Sequence, residues 1–309
     1  MPSAKRHVIL TASDGKYGDF LIEHWLRSLR ENVDLTGIDV AVADYGLSVA
    51  QKYYLEGNRV TVLPCVRDGH PAVVRYRDFG AFLRERPYDQ ALFTDGGDMV
   101  FQADIAPLFR TDTDSFRAVC EDSKPAFSLF VTNEFFSRKD KRAVRECFVE
   151  NRMINAGFLL GPRRKMAALC RACETMILVK DRFGPDQLVV NRVLHRDGFV
   201  ELPKTWNFVV ATAKEAVEID AGVFRLEDGT VIAVVHNAGN MSFLRPIEEF
   251  GYGPDRNRLK QDLYVALRTL YRSTEGLFRT QERFLESRRT FRLMIHKLRA
   301  ELEKLRPEA

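Results

Sequence analysis

The sequence has no apolar run long enough to cross a bilayer, and the apolar stretch before Asp14 is too short for a secretory signal. A cytoplasmic chain with reduced thiols is therefore expected. Cysteine is sparse and odd in number: Cys65, Cys120, Cys147, Cys170 and Cys173. Cys170-x-x-Cys173 lies within "KMAALCRACETMILVK", which reads as a single helix, and no second Cys or His pair stands at the spacing that would complete a zinc site. There is no G-x-G-x-x-G after the first predicted strand and no Walker pattern, so neither a dinucleotide dehydrogenase nor a P-loop enzyme is supported. No helix-turn-helix, zinc-finger or aromatic RNA-binding signature is present either, and no nucleic-acid partner is expected.

What is present is ordinary in composition and uneven in charge. Hydrophobic residues make up 45% and charged residues 29% of the 309, which suits one large α/β domain with an appendage. From Asp255 onward, 14 Lys or Arg stand against 8 Asp or Glu, a net of +6 within an overall +4, so residues 1–254 are slightly acidic. The expected division is a body over 1–254 and a basic α-helical C-terminal extension over 255–309.

Short apolar runs alternate with helical patterns. "HVILTA", "IDVAVA", "RVTVLP" and "QALFT" read as buried strands; "DFLIEHWLRSLREN", "SVAQKYYLEG" and "RYRDFGAFLRER" have the spacing of amphipathic helices. That alternation implies a parallel sheet flanked by helices, in which ligands bind beyond the carboxyl ends of the strands. Two of those ends bring carboxylates with glycine beside them, "TASDGKY" and "TDGGD". The second is a sharp break: Asp95-Gly96-Gly97-Asp98 interrupts an apolar run that resumes at once as Met-Val-Phe. A polar turn is the plain reading. A carboxylate pair with glycines that let a ligand approach is the functional one. Further on, "RMINAGFLLGP" reads as a strand, "FGPDQLVVNRVLHRDG" as a helix opened by Pro185-Asp186-Gln187, and "GTVIAVVHNAGN" as a strand ending in His236.

In chain order these segments resemble the nucleotide-sugar glycosyltransferases of the glycogenin and bacterial lipopolysaccharide galactosyltransferase type. The match runs through "LTASDGKYGDFLIEHWLRSL", "YDQALFTDGGDMVFQADIAPLF", "INAGFLLG", "DQLVVNRVL" followed by "ELPKTWNF", and "VVHNAG", over residues 7 to 245. The resemblance implies an α/β fold of the GT-A kind, a Rossmann-like mixed sheet flanked by helices, and a metal-dependent sugar transfer from a nucleotide diphosphate sugar, a UDP-sugar first, to a glycan, lipid-linked or protein acceptor. It implies donor contacts at Ala12, Asp14, Tyr17, Arg77, Asn155, Ala156, Gly157 and Gly239, with Arg75 an equally good alignment for Arg77. It implies Asp186 and Gln187 at the donor sugar, with retention of configuration, and Mn2+ or Mg2+ held by Asp98 and His236.

Two departures from that pattern matter. The family has one residue between its aspartates and this chain has two, so Asp98 falls on the second aspartate and Gly96 on the first. Asp95 then has two readings, metal ligand or ribose contact. Ser242 stands where the family has a diphosphate-binding lysine, and Arg245 or Arg77 would have to supply that charge. These departures keep a second class open, a catalytically inert GT-A-fold scaffold acting through its tail. A sugar nucleotidyltransferase lacks support because its glycine- and lysine-rich phosphate loop is missing.

In the tail an apolar residue recurs every seventh position at Leu263, Leu270, Leu277, Phe284, Phe291, Leu298 and Leu305, a helical seam that Ser273 to Gly276 could split. Its readings are a packed helical hairpin, homo-oligomer formation, or peripheral contact with the inner face of a membrane.

Overall fold

The computed structural model describes residues 6–123, 135–239, 244–274 and 281–304. Three strands, β1 (His7–Ser13), β2 (Ile38–Asp44) and β3 (Val60–Pro64), pair in parallel, and β4 (Gln90–Thr94) joins β1 on its other side in the same direction. A short strand β5 (Met99–Phe101) follows the Asp95–Asp98 turn, and β6 (Phe116–Cys120), β7 (Ile154–Pro162) and β8 (Phe199–Glu201) complete a seven-stranded sheet of order β3-β2-β1-β4-β7-β6-β8. The parallel sheet expected from strand-helix alternation holds for the first four strands. β7 runs antiparallel to both of its neighbours, so the sheet is mixed.

Alternate residues of these strands feed two cores. Val8 and Leu10 of β1 point with Phe93 toward Phe79 and Leu83, whereas Ile9 and Leu92 point to the opposite face with Trp25 and Phe101. Both faces are buried, which is why the strands read as unbroken apolar runs. A helical run on the second face comprises α1 (Gly18–Phe20), a π-helical segment over Leu21–Leu26, and α2 (Arg27–Asn32). α3 (Val49–Gly57) starts with a reciprocal cap in which Ser48 Oγ accepts from the Gln51 N–H and Gln51 Oε1 accepts from the Ser48 N–H. α4 (Pro71–Glu85), α5 (Arg138–Glu150), α6 (Arg163–Met176) and α7 (Pro185–Asp197) pack on the first face; α4 and α7 open with proline, which has no N–H to leave unpaired there. Cys170 and Cys173 are buried free thiols on α6.

A second sheet carries the far side of the site. β9 (Phe208–Val209) precedes a hairpin of β10 (Val217–Asp220) and β11 (Val223–Leu226), and β12 (Val234–His236) lies between β5 and β9. The strand anticipated across "GTVIAVVHNAGN" is thus confined to its last apolar residues. The Asp95–Asp98 turn is a polar turn between two strands, but the strands belong to different sheets.

At the C-terminus α8 (Gln261–Thr274) and α9 (Gln281–Lys304) form two helices, with Leu277 and Leu305 of the seam outside the described residues. Leu263, Leu267, Leu270 and Tyr271 are buried against Ala211, and Met294, Ile295 and Leu298 of α9 pack onto that cluster. No helix among the described residues is long and apolar enough to cross a membrane.

Candidate active site

The turn after β4 brings Asp95 and Asp98 beside His236 at the end of β12, and the ligand atoms of the three lie within 4.8 Å of one another. His236 Nε2 is 3.4 Å from Asp98 Oδ1 and 3.6 Å from Asp95 Oδ2. This nitrogen is buried and has no hydrogen-bond partner. A buried polar atom left unpaired between two carboxylates is costly unless something binds it. Burial alone would lower the imidazole pKa, but Asp98 and Asp95 outweigh it and raise the ring above its ordinary value. Two carboxylates and an imidazole nitrogen are a donor set suited to a divalent cation such as Mn2+. Both readings of Asp95 had weight in the sequence, and the geometry puts its carboxylate in the cluster.

Glycine is required here for space. A Cβ on Gly157 of β7 would stand 2.6 Å from His236 Cε1 and 2.8 Å from Asp95 Oδ2. A Cβ on Gly96 would meet Thr11 Oγ1 at 2.6 Å, and one on Gly97 would meet the Tyr17 ring at 3.0 Å. The two glycines therefore let the turn press against β1 and the residue that opens the first helix. The Asp95 N–H donates to Gly157 O at 3.0 Å, which ties the turn to β7 as well.

Arginines flank both aspartates. Arg75, on the buried face of α4 and 5% exposed, donates through Nη1 to Asp95 and lies 3.8 Å from Asp186 Oδ2. Burial would raise the Asp95 carboxyl, yet Arg75, His236 and Arg245 hold it below the usual carboxylate value. Arg77, the other arginine considered, is elsewhere: it bonds Asp68 and Asp78. The helical period explains the choice, because residues two apart on α4 face different ways. Arg245 donates through Nη2 to Asp98 Oδ2 at 2.9 Å and through Nε to Gly239 O at 2.8 Å.

The remaining predicted residues surround this cluster on both sides. Ala12 is the last residue but one of β1, and the Asp14 carboxylate accepts from the Lys16 N–H at 3.1 Å and from Arg67 at 3.0 Å, with the Tyr17 ring over Gly97. Asn155, Ala156 and Gly157 lie at the start of β7, all buried. Asp186 and Gln187 begin α7 and are buried, and Asp186 Oδ1 has no partner. Burial pushes the Asp186 carboxyl up to about 6, partly opposed by Arg75.

Glu121 was not among the residues anticipated. It follows β6 immediately, is 8% exposed, and has no ion-pair partner within 4 Å among the described residues. Its Oε1 accepts from Asn155 Nδ2 at 2.8 Å and Gln187 Nε2 at 3.1 Å, and its Oε2 accepts from Thr212 Oγ1 at 3.1 Å. Burial raises this carboxyl above its ordinary value, with the three donors opposing. The signal in the sequence was the one that marked Asp95, an apolar run ending in a carboxylate, "FRAVCED". Asn207, 1% exposed in "TWNF", was also passed over; its side chain bridges His236 Nδ1 at 3.1 Å and Asn155 Oδ1 at 3.0 Å.

No protein-family model and no curated protein matches the chain. Solved structures do. An active-site mutant of LgtC is 18% identical with a TM-score of 0.50, over 85% of this chain and 95% of that one. The apo structure of the bifunctional glycosyltransferase WbbM is 17% identical with a TM-score of 0.50, over 78% of this chain; the match spans 46% of WbbM's length. The chain thus has the GT-A glycosyltransferase fold, a mixed sheet flanked by helices, and α8 and α9 follow it at the C-terminus.

Proposed function

We propose that the chain is a metal-dependent glycosyltransferase that moves a sugar from a nucleotide diphosphate sugar, a UDP-sugar first, to a glycan, lipid-linked or protein acceptor. The observation that carries this reading is the cluster itself: the unpaired His236 Nε2 faces Asp95 and Asp98 next to Asp186 and Gln187. When bound there, a divalent cation would supply Lewis-acid neutralisation of the departing diphosphate. Asp95, Asp98 and His236 would hold it.

The chain's own groups have separate tasks in this reading. Tyr17 and Asp14 lie beyond the end of β1, on the nucleotide side, and Arg245 stands over Asp98 with its guanidinium available to a diphosphate oxygen. Asp186, unpaired at Oδ1, accepts from a sugar hydroxyl. Gln187 is held by its amide nitrogen on Glu121, leaving its carbonyl oxygen for the reacting face of the sugar. Retention of configuration is the expected outcome. Localisation at the cytoplasmic side, and oligomer or membrane contact through α8 and α9, complete the reading.

One observation favours the inert-scaffold alternative: both aspartates of the cluster already carry an arginine, Arg75 on Asp95 and Arg245 on Asp98. Isothermal titration separates the two. UDP, then GDP, is titrated into the protein with Mn2+ or with EDTA, and again into Asp98→Ala and His236→Ala. Metal-dependent binding lost in both variants supports transfer, to be followed by hydrolysis assays with UDP-sugars. Absence of nucleotide binding under every condition overturns it.

A further inference from the structure

His236 has two ring nitrogens, and only one of them can offer a lone pair to a cation while the ring is neutral. Which one is decided by what the other nitrogen faces. Nδ1 faces Asn207 Oδ1 at 3.1 Å. An amide could present either its oxygen or its nitrogen there, so the choice passes to Asn207's other contact. Asn207 Nδ2 is 3.0 Å from Asn155 Oδ1. That oxygen is fixed in turn by a group that can only donate, the Gly157 backbone N–H at 2.9 Å. Asn155 must then present Nδ2 on its far side, and there it meets Glu121 Oε1 at 2.8 Å. Glu121 Oε1 takes the Asn155 and Gln187 amide groups together, and the series ends on it.

The whole chain therefore has one direction. We propose that Asn207 is the positioning residue of the cation site: a one-way series of hydrogen bonds, His236 Nδ1–H to Asn207 to Asn155 to Glu121, holds the imidazole in the Nδ1–H tautomer and leaves the Nε2 lone pair facing Asp95 and Asp98. Every member is buried, with Asn207, His236, Asn155 and Glu121 at 8% exposure or less, so water does not compete for the partners. The same series joins the cation side to the sugar side, because Glu121 also holds the Gln187 amide. Reversing any single link would set two donors or two acceptors against each other elsewhere in the series.

This inference rests on the cation reading of Asp95, Asp98 and His236 given above, and its tests are chosen to fail separately. The first uses the unaltered protein without metal, at a pH high enough for a neutral ring: long-range proton–nitrogen NMR of the imidazoles, with His236→Ala to assign the signal. A protonated Nδ1 and a bare Nε2 are expected. A protonated Nε2 overturns the proposal whatever the site binds.

The second is titration of Mn2+ alone. Asn207→Leu, which gives Nδ1 no acceptor, is expected to lower Mn2+ affinity by about 10- to 100-fold, the usual cost of removing such a partner. Asn207→Asp keeps an acceptor toward Nδ1 but sets an oxygen against Asn155 Oδ1, so it is expected to bind Mn2+ more tightly than Asn207→Leu and less tightly than the unaltered chain. Equal affinity in Leu and Asp variants, both folded by circular dichroism, overturns the positioning role. If the unaltered protein binds no Mn2+, the cation reading fails while the tautomer result stands on its own.

Discussion

Arg245 bonds Asp98 through Nη2 at 2.9 Å while reaching back to Gly239 O, so a guanidinium stands against one carboxylate of the cation cluster. A cation held on Asp98 Oδ1, the oxygen that faces His236, still meets the positive charge that the arginine sets on the other oxygen of the same carboxylate. Arg245→Ala is therefore expected to bind Mn2+ alone more tightly, by about tenfold, which equals about 1.4 kcal/mol and is near the low end for a charged hydrogen bond. The same variant should bind UDP in the presence of Mn2+ more weakly, because a positive charge beside the diphosphate is gone. Titrations of Mn2+ and of Mn2+ with UDP read the two signs independently. Movement of both affinities in one direction would remove Arg245 from the nucleotide side.

Asp186 is buried with Oδ1 unpaired and a carboxyl raised to about 6. An acid whose pKa is raised by folding binds its proton more readily in the folded state, so stability falls as pH climbs from the unfolded value toward 6 and stays reduced above it. Asp186→Asn should accordingly melt at a higher temperature than the unaltered protein at neutral pH, by up to about 3 kcal/mol in stability. The gap should narrow as pH is lowered through about 6 and close only below the ordinary carboxylate value of about 4, where the carboxyl is uncharged in the folded and the unfolded chain. Sugar-dependent nucleotide binding should fall in the same variant. A pH series of melting curves checks the first claim, and a constant gap would refute it.

The two arginines of α4 are expected to behave differently. Arg75→Ala strips the counter-ion from buried Asp95 and Asp186, a change that costs about 3–5 kcal/mol where a buried pair is broken. Arg77→Ala removes a half-exposed contact with Asp68 and Asp78 and should leave UDP binding unchanged. Denaturant curves and UDP titrations on both variants decide it. Loss of UDP binding in Arg77→Ala alone would mean that the exposed arginine is the donor contact.

Gly157→Ala places a methyl within 2.6 Å of His236 Cε1 and 2.8 Å of Asp95 Oδ2. Its third neighbour is Asn155 Oδ1 at 2.9 Å, so the chain relaxes by moving the imidazole, the turn or that amide, at about 1–3 kcal/mol for overpacking. Mn2+ affinity should drop well beyond what the loss of stability accounts for. A variant that melts early yet binds Mn2+ normally would show that the turn or the amide, and not the ring, gave way.

A chain ended after residue 254 would uncover Ala211, against which Leu263, Leu267, Leu270 and Tyr271 of α8 are buried. Arg268 and Arg272 also bond Lys214 O, and Tyr264 bonds Glu215 O. Leu267, fully buried, is expected to cost about 2–5 kcal/mol when cut to alanine. Analytical ultracentrifugation and melting of the shortened and Leu267→Ala chains test whether the body at 1–254 is independent of its tail.

Much of this arrangement was legible because local chemistry marked it. Strands buried on both faces read as apolar runs, and the carboxylates after β4 sit where such a sheet presents ligands, with the His that ends β12 beside them. The reversal of β7 was not legible from alternation alone, since strand direction is set by packing after a long connection. Arg75 and Arg77 could not be told apart by alignment, and only the face of α4 separates them. Glu121 and Asn207 were missed for a further reason. Neither has a motif; each acquires its role from partners 34 and 29 residues away in the chain.

The turn at Gly96-Gly97 has one more consequence. Tyr17 leans on Gly97, and two residues earlier in the turn Asp95 is tied to β7, so a ligand seated against Tyr17 pushes on the same backbone that sets the spacing of Asp95 and Asp98. Whatever free energy passes through that contact passes equally in both directions. Nucleotide that tightens the hold on a cation is itself held more tightly by it, and the order in which the two arrive does not change the final balance.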